Sequence, residues 1–109
     1  MPNFSYFAAL DNDGDANNVV HVGPVPLHWI EVFNGDGATV YLNLYDEVHT
    51  EIDPATDAPT LSIGVPAGVA RTVPLDISFS LGCVICASST AAAGGTVPDP
   101  APTVTVFHT

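Results

Sequence analysis

Thr39-Val-Tyr-Leu-Asn-Leu-Tyr-Asp46, TVYLNLYD, sets Val40, Leu42 and Leu44 in alternation with Tyr41, Asn43 and Tyr45. Side chains two residues apart share a face of an extended chain, so the stretch is a strand with an aliphatic core face and a tyrosine-bearing outer face. The same period runs through LHWIEVFN at 27–34, where Ile30 and Val32 oppose Trp29, Glu31 and Phe33. Working outward, further strands are expected near 4–10, 18–23, 60–65, 71–79, 82–88 and 103–108. Ten prolines and nine glycines leave few uninterrupted windows for a helix. Eight short period-two runs separated by turn residues predict an all-β fold, an antiparallel β-sandwich or jelly roll.

The turns suggest local pairings. NGDGA at 34–38 offers Asn and Gly for the left-handed positions of a tight hairpin, so strands 27–34 and 38–46 are expected to pair antiparallel. VPAGVA at 65–70 reads as a second hairpin, with Pro66 and Gly68 at its centre. Pro74 inside the next strand places that strand at a sheet edge or at a bulge. Three long connections have no periodicity of their own: 11–18, 47–59 and 88–102. Connections of that length are usually mobile or held by a partner.

A chain of 109 residues is one domain, 1–109, with a thin core. Its 47% hydrophobic content is too high for a disordered tail. Twelve Asp and Glu against Arg71 alone give a net charge of −11, which repels phosphate backbones and anionic lipid headgroups. Nucleic acid and membrane are therefore poor partners, while neutral or positive protein surfaces are good ones. No run approaches the length of a membrane span, and MPNFSYFAAL lacks the basic start of a secretory signal.

Candidate chemistry is sparse. Cys83 and Cys86 form a C-x-x-C, but in a strand they face opposite ways and no second pair completes a zinc site, so they read as two small buried hydrophobes. Asp11, Asp13 and Asp15 in DNDGD have the composition hard cations prefer, yet position twelve of an EF-hand count falls on Val22. They are a weak Ca²⁺ candidate, and no other cofactor is expected. His21, His28, His49 and His108 show no ligand spacing to one another. No G-x-S-x-G, H-E-x-x-H or P-loop is present, and no carboxylate pair stands out, so no enzymatic activity is expected. The aromatic residues Phe4, Tyr6, Phe7, Trp29, Tyr41 and Tyr45 are the interface candidates. Residues 1–15 are read either as a docking arm carrying Phe4, Tyr6 and Phe7 or as the first strand.

The order of YLNLYD at 41–46, TDAPTLSIGVPAG at 56–68, LDISFSLG at 75–82, CVICASST at 83–90 and TVTVFH at 103–108 resembles small β-sandwich virion proteins of tailed bacteriophages. Those chains carry a similar run, LYD, then TDTP-L-I-VPAG, then F-x-x-G, and the likeness spans residues 27–109. This chain departs from it at Ala58 and in its two cysteines. The resemblance implies a capsid decoration (cement) protein on the outer shell of a virion, made in the host cytoplasm. It also implies the major capsid protein and copies of the chain itself as partners, commonly as a homotrimer. A neck, tail or fibre component and a carbohydrate-binding module are the alternatives.

Overall fold

The computed structural model describes residues 3–48, 50 and 52–109; Met1, Pro2, His49 and Glu51 lie outside the described residues. Eight strands form: β1 Asn3–Phe7, β2 Val19–Val22, β3 Val25–Phe33, β4 Val40–Tyr45, β5 Leu61–Val65, β6 Ala70–Phe79, β7 Gly82–Ser88 and β8 Thr103–His108. One sheet, here sheet A, has the order β1-β8-β3-β6, and the other, sheet B, has β2-β7-β4-β5. Every pairing is antiparallel. The pairs β1·β8, β2·β7, β3·β6 and β4·β5 are those of a long hairpin ribbon rolled up on itself, the jelly-roll form of the β-sandwich.

The expected faces are where the period placed them. Val40, Leu42 and Leu44 meet Leu27, Ile30, Val104 and Val106 between the sheets, all essentially without solvent contact. Filling that layer with branched aliphatics suits a pleated surface and supplies the main stabilisation, roughly 25 cal/mol per Å² of apolar area removed from water. Cys83 belongs to this inter-sheet layer and Cys86 to a second cluster outside sheet B. The two thiols thus lie on opposite faces of β7, as an i, i+3 pair in a strand must.

Neither expected hairpin pairs its flanking strands. β3 and β4 sit in different sheets, and so do β5 and β6. Neither Gly35 nor Gly37 takes a positive φ, so the 34–38 turn is a corner between layers. Asn34 explains why. Its buried carboxamide donates to the carbonyls of Ala38 and Val65 (both 2.9 Å) and of Pro66 (3.1 Å), and its own N–H donates to Val69 O (3.0 Å). One side chain thereby ties both corners together at the same end of the sandwich. Gly68 does turn left-handed (φ 71°), as the 65–70 reading required. Pro74 lies where its missing N–H is tolerated, on edge strand β6 and at a register shift against β3 between Leu27 and Trp29.

The N-terminal stretch is a strand and not a free arm: Asn3 to Phe7 pair in unbroken register with His108 to Val104.

Candidate functional site

The two sheets differ in what lies outside them. Over sheet B, the three long connections hold one another and the sheet. Asp11 O accepts from Ala87 N (2.9 Å), Asn18 Nδ2 donates to Ile85 O (3.0 Å), Asn43 Nδ2 to Thr90 O (3.1 Å) and Asn12 Nδ2 to Gly95 O (3.1 Å). Gly94 N donates to Pro54 O (3.0 Å). Buried amide groups on the sheet need hydrogen-bond partners, and the loops supply them. Beneath them Tyr45 packs with Val84, Cys86, Val19 and Ile52 at 1% exposure.

Among the described residues, sheet A carries no such cover. The registers place Phe4 opposite Phe107, Phe107 opposite Trp29 and Trp29 opposite Pro74, an apolar row crossing all four strands. Trp29 and Phe107 stack with ring centroids 4.5 Å apart and planes 18° from parallel, and Phe4 tilts against Phe107 at 6.0 Å. The next row, Tyr6–Thr105–Glu31–Thr72, is polar apart from its tyrosine. Beyond it Phe33 stands between Thr103 and Ala70. Phe4, Tyr6 and Phe33 are 65%, 59% and 50% exposed. A shallow depression of about 340 Å³ beside Phe33 is lined by Glu31, Arg71, Thr72, Thr103 and Thr105.

Charge is segregated in the same way. By sequence, 11–18, 46–59 and 88–102 hold three, five and one of the twelve acidic residues. Glu31 accepts from Trp29 Nε1 at 3.5 Å on the sheet A side, and Arg71 turns away to donate to Gly64 O at 3.3 Å.

Of the six interface candidates, Phe4, Tyr6 and Trp29 share this face. The other three do not. Phe7 points inward against the core, Tyr41 is half-buried against Gly64 on sheet B, and Tyr45 is enclosed by the loops. Enclosure also pushes the Tyr45 phenol up to about 12, chiefly by desolvation. Phe33 and Phe107 complete the face without having been singled out. The period of TVTVFH puts Phe107 outward, but only the strand order reveals that it stands between Phe4 and Trp29.

The other candidates serve the fold. Asp11 Oδ1 accepts from Asp13 N (3.2 Å) and Asp15 Oδ1 from Asn17 N (2.9 Å), the turn-forming contacts of Asx residues. Asp13 is held above its ordinary carboxylate range, first by the charge of Asp11 and then by slight desolvation and by Asp15. Among the described residues no three of His, Cys, Asp and Glu gather closely enough to hold a metal ion. Burial raises both cysteine thiols to about 12, so at neutral pH they are protonated and poorly nucleophilic.

Three histidines do converge at one end of the sandwich, which their spacing concealed; His49 lies outside the described residues. The His21 and His108 rings are 5.6 Å apart, and His28 bonds to the Thr109 hydroxyl. Ser5 Oγ lies 3.3 Å from His108 Nε2 and donates to Val20 O at 3.1 Å. With the Ser5 hydrogen directed at a carbonyl, the imidazole donates to Ser5, whose hydroxyl ties β1 to β2.

Searches of family models, curated proteins and solved structures find no match to this chain.

Proposed function

We propose that this chain is a structural subunit of a tailed-phage virion, a decoration protein that attaches to the outer shell through the bare face of sheet A. One observation carries the reading: an apolar row, Phe4–Phe107–Trp29–Pro74, on the side of a jelly roll that the described loops leave open, where the acidic residues are only Glu31 on β3 and Asp76 on β6 among those described. Aromatic residues with little fixed charge suit the centre of a protein interface, where charged groups are costly to desolvate. Most of the acidic residues belong to the long connections over sheet B, so the attached subunit turns its negative side away from the shell. Packaged DNA repels such a domain, which favours the outside of a capsid over its interior.

Attachment of this kind needs no chemistry. Each subunit adds buried area across junctions between shell proteins, and repetition around the particle multiplies a modest contact. The resemblance in residues 27–109 supplies the particle, and the exposed face supplies the contact. The carbohydrate-binding alternative needs aromatic ring faces open to solvent. Trp29 and Phe107 give one ring face each to the other, standing side by side across adjacent strands.

The test is copy number and attachment on purified virions. Quantitative gel staining is expected to show hundreds of copies per particle, and particles stripped of the chain should rebind the wild type but not a Trp29→Glu variant. A ring's worth of copies would place the chain in the neck or tail instead, and its absence from particles would overturn the proposal.

A further inference from the structure

The sandwich has four edge strands, and three of them are obstructed. β6 contains Pro74, which has no N–H to offer, a register shift, and Asp76 at a positive φ of 50°. On β5, Gly64 O is occupied by the Arg71 guanidinium at 3.3 Å. β2 is four residues long with a register shift between Val19 and His21, and Val20 O is taken by Ser5. Bulges, prolines and charged side chains are the usual means of keeping an edge from pairing with another chain.

β1 has none of these. NFSYF pairs with β8 without a break and contains no charged residue and no proline. Among the described residues, no hydrogen bond from outside β8 reaches its backbone. We propose that β1 is a pairing edge, at which two copies of the chain join antiparallel about a two-fold axis through Ser5.

The strand is complementary to itself in that register. Phe4 stands opposite the partner's Tyr6 and Tyr6 opposite the partner's Phe4, both on the outer face, while Ser5 meets its own counterpart on the inner face. Outer-face aromatic pairs directly across antiparallel strands are stabilising contacts. Charge selects the same place. Two chains of net charge −11 associate only where the contact is neutral, and the nearest acidic residue on this face, Glu31, lies two strands away on β3. The product is one continuous eight-stranded sheet in which the aromatic faces of both copies lie on the same side. A three-fold ring joined through strand edges would require β1 to pair with a different edge, and the other three are obstructed. Symmetric contacts of one patch with itself give two-fold pairs.

This inference is independent of what the face attaches to, and it is tested on the isolated full-length chain. Sedimentation equilibrium over a dilution series should give the mass of two chains at high concentration and of one at low concentration. A five-residue contact is small by the standard of specific interfaces. Phe4→Lys/Tyr6→Lys sets like charges opposite each other at both pairs and should give a monomer throughout. Phe4→Lys/Tyr6→Glu sets Lys opposite Glu in the two-fold register and should restore the dimer, now weakened by salt. Both sites are exposed, so at concentrations low enough for the wild type to be a monomer, circular dichroism and urea unfolding of each variant should show the same cooperative fold. A wild-type monomer at every concentration, a trimer, a dimer indifferent to the double-lysine change, or failure of the Lys/Glu variant to restore it would each overturn the proposal.

Discussion

Tyr45 and Tyr6 both project from the outside of a sheet, yet Tyr45 is 1% exposed and Tyr6 59%. Their strands do not account for the contrast, since each tyrosine sits on the outward side of a period-two run. The difference comes from the connections. Ile52, from the connection after β4, packs over Tyr45, and 11–18 hydrogen-bonds to β7, whereas nothing in the described chain closes over β1 and β3. Outward in a strand and exposed to solvent are therefore separate properties, the first set locally and the second by loops distant in sequence. The outside of sheet B belongs to the folding core, and the outside of sheet A is free for contact.

Mutation should separate the two regions sharply. Tyr45→Ala removes a ring enclosed by Val84, Cys86, Val19 and Ile52, and it should cost about 3–5 kcal/mol in urea unfolding, as large aromatic truncations in cores do. Tyr6→Ala, measured at concentrations where the chain is a monomer, should change stability by less than about 0.5 kcal/mol, the range for exposed positions. Equal costs for the two would mean that the loops do not make the outside of sheet B part of the core.

A smaller effect tests whether the loop contact itself closes that face. Gly14 has φ 68°, and a Cβ there would lie 2.9 Å from both Ile52 and Pro54. Gly14→Ala combines left-handed strain with overpacking and should cost about 2–3 kcal/mol. Gly23 is the control, with φ 89° and nothing within 4 Å of an added Cβ. Gly23→Ala should cost about 1 kcal/mol through strain alone. The excess at Gly14, read from denaturation midpoints, measures how tightly 11–18 seats on 52–54.

The same contrast shows what the sequence could reveal. All eight strands are legible because period two is a local signal, and Val40, Leu42 and Leu44 point inward as written. Partners are not local. NGDGA suits a hairpin, but a buried carboxamide at Asn34, satisfied by carbonyls some thirty residues away, makes it a corner between sheets. Tyr45 misleads for the same reason, since Ile52 covers it from a loop without periodicity. On the other side, Trp29, Phe4 and Tyr6 stand out as single aromatics, but their union into one row depends on Phe107 and so on β8 entering between β1 and β3. That neighbour relation follows from the rolled ribbon and from no residue in isolation.

The subtlest effect expected lies where the two sheets meet beside β1. His108 points inward at 6% exposure, and desolvation is the main reason its imidazole is held below the ordinary 6.5, with His21 and His28 pushing the same way. The nearby Thr109 backbone opposes them in part. In the unfolded chain the ring titrates normally, so below pH 6.5 the unfolded state binds more protons than the folded one. Stability should then fall as pH drops below 6.5 and level off once the folded imidazole also protonates, with a slope of at most ~1.4 kcal/mol per pH unit for one proton. Above 6.5 the group is neutral in both states and contributes no slope. His108→Gln should flatten urea-unfolding stability between about pH 7 and 5 relative to the wild type. Its absolute stability is no guide, because the substitution also alters the bond to Ser5. An unchanged slope would mean that His108 takes up its proton as readily in the fold as out of it, and that the end of the sandwich beside β1 is as open to water as the bare face of sheet A.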